Sequence, residues 1–387
     1  MCFVLFNIQN SSFIKNGFLI TSLRKRKGVF MEYALSVTMA IFALIGAIDK
    51  IFGNRLKLGD EFEKGIHTIA PLTMSMLGMI TIAPTLSDLL LPVITPVANL
   101  LKFDPSAIAG IIFANDMGGA ALADSVCNDA LLGSFHGLVV ASMLGATISF
   151  TIPVSISSIN KEFHKDVFLG LLCGISTIPF GCFVSGLFMG INILTLVLNL
   201  VPSIFFSVII VIGLLKVPSV CIKIFGILGK AILVLVIGGL AIGILQYLTG
   251  WVILEKTTPI NEGFKTIFHI GVVLSGTFPL IAIISKLLNK PFKALGKKTG
   301  LDEASVLGFV ATLANSIATI ENADKMNRKG RVMNLAFCVS GAFVFGDHLA
   351  FTLSYNGEHI LAVIIGKLVA GVLAVLMAGF AVKKIKV

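Results

Sequence analysis

Charged side chains are scarce in this 387-residue chain, where Asp, Glu, Lys and Arg make up only 13% of the residues. Soluble domains carry about 25% charged residues, and the mean hydropathy of this chain is +0.98. The deficit excludes an ordinary soluble protein and predicts an all-α polytopic membrane protein in a lipid bilayer. The excess of Lys and Arg (30) over Asp and Glu (20) is interpreted as loop charge that sets orientation, so no nucleic acid is expected as a partner.

Catalytic and metal-binding motifs are also missing. The six Cys are scattered without a CxxC pair, which is typical of small buried hydrophobic residues. No HExxH, GxSxG or GxxxxGK[ST] pattern occurs, and this argues against an intramembrane hydrolase or an ATP-driven pump. We therefore expect no enzyme activity, no catalytic residue, no metal site and no cofactor.

Long apolar runs, in contrast, fill most of the chain. Nine of them are continuous and close to the ~20 residues that cross a bilayer, and two more, 105–124 and 303–322, are apolar but interrupted. About 9–11 membrane segments are expected. The continuous runs are 33–52, 66–84, 131–155, 167–189, 191–216, 230–250, 264–286, 332–354 and 359–382.

Loop charge orients these segments, because short cytoplasmic loops carry an excess of Lys and Arg. The Lys-poor loops 85–104 and 125–130 are expected outside, and the tail 383–387 inside. Both sets of loops fit only if each interrupted segment enters and leaves by the same face, as a re-entrant hairpin. The loops expected inside are 50–66, 157–166, 216–230, 286–300 and 321–331.

An internal repeat points the same way. A shift of 198 residues superposes Gly65 on Gly263, Asp104 on Asp302 and the first interrupted segment on the second. We expect repeat 1 over 31–190, a linker span and loop over 191–228, and repeat 2 over 229–382. An odd number of crossings separates equivalent points, so the repeats are expected to be inverted, a recurring transporter design.

The first thirty residues do not fit this arrangement. Arg24–Lys27 is a basic cluster placed directly before Gly28-Val29-Phe30-Met31. We expect translation to begin at Met31, with 1–30 a mis-called extension. A signal peptide is the competing interpretation, but the basic cluster follows the apolar part instead of preceding it.

The candidate site residues are polar groups in apolar surroundings, where an ionised side chain is costly unless it faces a cavity or a partner. The pair Asn115–Asp116 is followed by two glycines, and Asn315–Ser316 interrupts the second hairpin. Asp347 and His348 lie inside an apolar span. We expect these six residues to form a substrate site from broken helices.

These motifs, Phe113–Gly119, Leu313–Ala318 and Ser340–Phe351, resemble the ethanolamine permease (EutH) family of bacterial ethanolamine-utilisation operons. The resemblance runs from Met31 to the C-terminus. It implies uptake of ethanolamine across the cytoplasmic membrane of a bacterium. From the hairpins we expect alternating access around a midplane site, with H⁺ or Na⁺ as candidate coupling ions. The alternatives are an ion-coupled carrier or antiporter for another small organic solute, and an uncoupled channel or facilitator. The oligomeric state is left open, with a homo-oligomer allowed.

Overall fold

The computed structural model describes residues 32–384, without the side chains of residues 288–295 and 297. Within residues 32–384 the chain forms helices and no strand. The helices, labelled in chain order, are α1 Glu32–Ile51, α2 Leu58–Leu101, α3 Ser106–Ile112, α4 Gly119–Val126, α5 Ala130–Ser158, α6 His164–Met189, α7 Ile193–Lys216, α8 Pro218–Thr249, α9 Ile260–Thr299, α10 Glu303–Ala314, α11 Ser316–Glu321, α12 Arg328–Gly341, α13 Asp347–Asn356 and α14 Ile360–Lys384.

Eight helical stretches in the described part of the chain are long and apolar enough to cross a membrane. Large apolar side chains such as Phe205, Val234 and Phe380 face outward and are more than half exposed, as lipid-facing positions require. The prediction of an all-α polytopic membrane protein is confirmed. The proposed extension 1–30 lies outside the described residues and stays a prediction.

Several helices are longer than the apolar runs predicted. The expected outer loop 85–104 is wrong, because α2 continues to Leu101 over 44 residues. The expected inner loops 216–230 and 286–300 are also wrong, because only Val217 separates α7 from α8 and α9 continues to Thr299. Hydropathy detects only the part of a helix that lies in hydrocarbon, whereas Lys-bearing ends remain good helix formers in the interface.

The segment from α13 to α14 is nearly continuous helix, yet it is two antiparallel elements. A straight helix would separate residues 19 apart by about 28 Å. Instead, the Lys367 Nζ lies 3.0 Å from the His348 Nδ1, although 19 residues separate them. The chain therefore reverses at the 3₁₀ turn Gly357–His359, which agrees with the predicted boundary between the runs 332–354 and 359–382. The prediction that 332–354 is continuous is wrong, because the helix is interrupted between Gly341 and Asp347.

The first interrupted segment, α3–α4, leaves where it entered. The carboxylate of Asp104, which precedes α3, accepts hydrogen bonds from the backbone N–H of Asn128 (2.9 Å) and of Asp129 (3.2 Å), which follow α4. Asp129 in turn caps α5, because its side chain accepts from Leu131 and Leu132. We call this arrangement the Asp104 clasp, and it closes residues 104–129 into a hairpin, hairpin 1. That this hairpin is re-entrant in the membrane stays a prediction.

The second interrupted segment, α10–α11, is closed in the same way. The carboxylate of Asp302 accepts from the backbone N–H of Asn327 and, at 2.8 Å, of Ser305. Asn327 caps α12 by accepting from Gly330. This Asp302 clasp makes residues 302–327 hairpin 2, and its aspartate and cap residue both lie 198 positions after those of hairpin 1.

Five candidate spans, α5 to α9, lie between the two clasps. If all five cross the bilayer, the two hairpin bases lie on opposite membrane faces, which is what the predicted inversion requires. The boundaries of the repeats and their inversion stay predictions. The helices behind the hairpins pack through small residues: Gly181 on α6 lies directly against the Gly366 carbonyl on α14, where a Cβ would stand 2.5 Å from that oxygen.

Candidate functional site

The tip of hairpin 1 is the segment that the Asn-Asp-Met-Gly-Gly motif predicted to be broken. Asn115–Met117 forms one 3₁₀ turn between α3 and α4, and Gly118 follows with φ +90°. Asn and Asp compete with helix by local hydrogen bonding, and Gly adopts a positive φ at low cost. Gly118 packs directly on Met79 of α2, so that a Cβ at this position would overlap the Met79 side chain. The turn therefore holds Asn115 and Asp116 inside the helical bundle.

Asn115 is the least satisfied polar side chain of this tip. It is fully buried, and neither its amide nitrogen nor its amide oxygen has a hydrogen-bond partner in the protein. An unpaired buried amide costs free energy and is therefore rare outside functional sites. No hydrogen bond within the described residues fixes the orientation of this amide, which leaves both amide atoms able to bind a ligand.

The tip of hairpin 2 breaks at Asn315, whose backbone is extended (φ −156°, ψ 121°). The Asn315 Oδ1 accepts a hydrogen bond from the Ile317 N–H at 2.7 Å and thereby caps α11. The neighbouring Ser316 is buried, and its hydroxyl has no partner in the protein. At this tip the predicted amide has a structural role, and the hydroxyl is the unsatisfied group.

A second break, residues 342–346, separates α12 from α13 and joins hairpin 2. The N–H of Phe343 donates to the Thr312 carbonyl (3.0 Å), and the N–H of Phe345 donates to the Leu313 carbonyl (2.8 Å). These bonds satisfy backbone groups that would otherwise be unpaired in an apolar environment. Phe343 has a positive φ of 59°, and Gly346 lies so close to the Ala314 carbonyl that no Cβ would fit.

Asp347 and His348 begin α13 directly after this break. The N-terminus of a helix carries a partial positive charge that stabilises a carboxylate placed in its first turn. Within the described part of the chain, no hydrogen bond or ion pair is made by the Asp347 carboxylate, and the residue is partly accessible. His348 is buried, and its Nε2 lies 3.8 Å from the Asp116 Oδ1 at the tip of hairpin 1.

The structure thus brings the six predicted residues to one region, where the two hairpin tips contact the break between α12 and α13. Hairpin 1 reaches it through Asp116 and His348. Hairpin 2 reaches it through the backbone pairing of residues 312–313 with 343–345. Whether these six residues bind substrate stays a prediction, and it is taken up below.

Lys367 on α14 is a member of this cluster that sequence reasoning missed. It is completely buried, and its Nζ donates to the Ser142 carbonyl (2.6 Å) and contacts the His348 Nδ1 (3.0 Å). Ser142 lies in a π-helical part of α5, Phe135–Gly145, a type of irregularity that is frequent at functional sites. The signal was present in the sequence, because Lys367 is a lone charge in an apolar run, just as Asp347 is.

A cleft of about 330 Å³ opens beside hairpin 1. It lies between α2, α4, the start of α9 and the end of α13, and two carboxylates, Asp124 and Glu262, line it. The Asp124 carboxylate accepts a hydrogen bond from the Tyr355 hydroxyl at 2.6 Å. The cleft is therefore an acidic approach to the region of hairpin 1 and α13.

Comparison with known proteins assigns the family. Residues 31–381 match the family described as "Ethanolamine utilisation protein, EutH". The chain belongs to the EutH family. The family match includes all six predicted residues and Lys367, so the whole cluster lies within the part that is shared.

The chain aligns with its relatives over most of the length of both proteins. A protein named "Probable ethanolamine permease EutH" from Listeria monocytogenes is 44% identical over 87% of this chain and 90% of its own. The protein of the same name from Escherichia coli is 33% identical over 89% and 94%. "Uncharacterized protein YxeR" of Bacillus subtilis is 38% identical over 90% and 94%. No solved structure matches the chain.

Proposed function

We propose that this protein is an ethanolamine permease that carries ethanolamine into a bacterium by alternating access, and that it is a transporter and not an enzyme. The family and the names of its relatives support the substrate. The observation that carries the proposal from this chain's own residues is the polar cluster at the meeting point of two hairpin tips and a broken helix. In it His348 and Lys367 are buried, and Asp116 and Asp347 are half-buried.

Charge balance in the cluster favours a cationic substrate. Asp116 is linked through His348 to one buried ammonium, that of Lys367, whereas the Asp347 carboxylate makes no hydrogen bond or ion pair within the described residues. Lys64 lies within electrostatic reach of Asp347, but its side chain is 62% exposed and pairs with Glu61 at 3.6 Å, so solvent screens it. One carboxylate therefore lacks a buried partner, and a substrate ammonium supplies one.

The hydroxyl of ethanolamine lies two carbons from its ammonium, so a binding site needs a neutral polar group near the carboxylate. The unpaired amide of Asn115 meets this requirement, because it neighbours Asp116 and can donate to or accept from a hydroxyl. Ser316 offers an unpaired hydroxyl at the other tip. We assign the ammonium to the carboxylates and the alcohol to Asn115, with Ser316 as its counterpart on hairpin 2.

The architecture supports alternating access as the mechanism. The hairpins are closed by equivalent clasps at Asp104 and Asp302, and an odd number of candidate spans separates them. Hairpins that enter from opposite faces and meet at one site are suited to act as gates for that site. The acidic cleft, lined by Asp124 and Glu262, attracts cations to the hairpin that carries Asp116.

The proposal is tested by uptake of ¹⁴C-ethanolamine into proteoliposomes that contain the purified full chain, with Na⁺ and pH gradients imposed separately. Accumulation above equilibrium under one gradient establishes a coupled carrier and names the ion. Saturable equilibration without accumulation identifies a facilitator. Absence of uptake by folded protein contradicts the assignment of ethanolamine.

The site is tested in the same assay with Asp116→Asn and Asp347→Asn. Each substitution removes a charge with little change of shape, and loss of a charge-assisted contact in a buried site is worth about 100-fold or more. We expect uptake to fall to background in both variants while membrane insertion is retained. Lys383→Met on the exposed end of α14 is the matched control. Normal uptake by both aspartate variants would remove the proposed site.

A further inference from the structure

Lys367 raises a question that the proposed function leaves open, namely which of the two carboxylates its charge balances. Its Nζ contacts no carboxylate directly within the described residues; it contacts the Ser142 carbonyl and the His348 Nδ1. The other ring nitrogen of His348 faces the Asp116 Oδ1 at 3.8 Å. The imidazole therefore stands between the lysine and the aspartate of hairpin 1.

The contact at Nδ1 determines the chemistry of the ring. A protonated lysine has only donors, so Lys367 donates to Nδ1, and the proton of a neutral imidazole is then on Nε2. That N–H points toward Asp116. A chain of two polarised contacts thus runs from the ammonium through the ring to the carboxylate, and Asp347 is not part of it.

We propose that Lys367 is the fixed counter-ion of Asp116, acting through His348, and that this pairing reserves Asp347 for the single positive charge of the substrate. The inference rests on the proposed function. Lys367 and His348 are then positioning residues: they neutralise Asp116 and leave the site with one carboxylate that has no positive partner. A site with this charge selects small monoamines and disfavours diamines, whose second ammonium would repeat the charge that Lys367 already supplies.

The proposal predicts a rescue that a merely structural lysine would not produce. Lys367→Met alone leaves the half-buried Asp116 uncompensated, and ethanolamine binding should weaken about 100-fold. Asp116→Asn added to Lys367→Met removes both charges and returns the site to one carboxylate. We expect the double variant to bind ethanolamine within about tenfold of the wild type.

The experiment measures equilibrium binding of ¹⁴C-ethanolamine to the purified full chain in detergent, with 1,3-diaminopropane as a dicationic competitor. Measurement at several pH values between about 6 and 8 shows whether a proton on His348 substitutes for the missing lysine. In Lys367→Met the diamine should gain about tenfold relative to ethanolamine, because two carboxylates then lack partners. The double variant should lose this gain.

Folding is checked by gel filtration and by the apparent melting temperature of each variant, and Lys383→Met controls for loss of a positive charge elsewhere on α14. Folded variants in which the double substitution binds no better than Lys367→Met, or in which the diamine preference is unchanged, overturn the proposal. Absence of ethanolamine binding by the wild type contradicts the proposed function instead, so the two failures are distinguishable.

Discussion

The two hairpins share a base and differ at the tip. At each base an aspartate, Asp104 or Asp302, accepts the backbone N–H of a residue that caps the following helix. At the tips the similarity ends: hairpin 1 turns through a glycine and presents a carboxylate, whereas hairpin 2 turns through an asparagine that caps α11. The base is a structural device that returns the chain to its starting face. The tip is where the two halves acquire different chemistry.

This difference explains why one half carries the charge of the proposed site. Asp116 lies within 3.8 Å of His348 and is linked through it to Lys367. The tip of hairpin 2 contacts the break at residues 342–346 through backbone hydrogen bonds to the carbonyls of Thr312 and Leu313. Hairpin 2 therefore positions Asp347, and hairpin 1 supplies a charged side chain of its own.

Among changes at the two hairpin tips, Gly118→Ala is expected to have the largest effect, a loss of stability. The substitution places a Cβ at a positive φ and into the side chain of Met79, at a combined cost of about 2–4 kcal/mol. The apparent melting temperature in detergent should fall by several degrees. The matched change at the other tip, Ser316→Ala, removes a buried hydroxyl without a partner and should be nearly neutral. Equal decreases in melting temperature for the two variants would contradict the proposed difference in packing between the two tips.

A smaller effect is expected from the two asparagines, because one is unpaired and the other is a cap. Asn115→Ala should raise the KM for ethanolamine about five- to tenfold, the worth of one hydrogen bond of about 1 kcal/mol, without changing inhibition by ethylamine, which lacks the hydroxyl. Asn315→Ala should instead cost about 1 kcal/mol of stability through loss of the α11 cap.

Uptake kinetics and melting temperatures of both asparagine variants separate these roles. If Asn115→Ala raises the KM for ethanolamine and the inhibition constant of ethylamine by the same factor, the Asn115 amide does not contact the substrate hydroxyl. A transport defect in Asn315→Ala without loss of stability would move Asn315 from a cap to a ligand.

The smallest effect is expected for the contribution of the Asp302 clasp to stability, which should decrease at low pH. Burial by itself raises the pKa of Asp302. Hydrogen bonds from Ser305 and from the Asn327 N–H, together with the charge of Arg331, lower it by a larger amount, so the pKa of Asp302 is below its usual value. A lowered pKa in the folded state stabilises the protein above the unfolded pKa of about 3.9 and loses this effect as the pH falls below it. Wild type should thus be more stable than Asp302→Asn at pH 5 to 7.

Melting curves of the two proteins between about pH 3 and pH 7 check this sign. The difference between wild type and Asp302→Asn should be constant above about pH 5 and should shrink below about pH 4. A difference that is independent of pH would mean that the shape of the side chain, and not its charge, closes hairpin 2.

Where the sequence predicted well, local composition decided the outcome. A chain with few charges and long apolar runs forms membrane helices, and Asn115–Gly119 or Asn315–Ser316 interrupts them because these residues disfavour continuous helix. Helix ends were predicted poorly. Nothing in the hydropathy of 216–230 distinguishes an interfacial loop from a helix that continues past the hydrocarbon, as α8 does.

The sequence by itself determined which polar groups lie within apolar segments, since the hydrophobic effect leaves such groups no other environment once the spans are inserted. Only the tertiary structure decided their partners. Lys367 meets His348 because the chain reverses at Gly357–His359 and packs α14 beside α5 and α13. Asp116 meets His348 because the Asp104 clasp returns hairpin 1 at the right depth. Electrostatic pairing depends on distances of a few ångströms, and packing across residues far apart in the chain sets those distances.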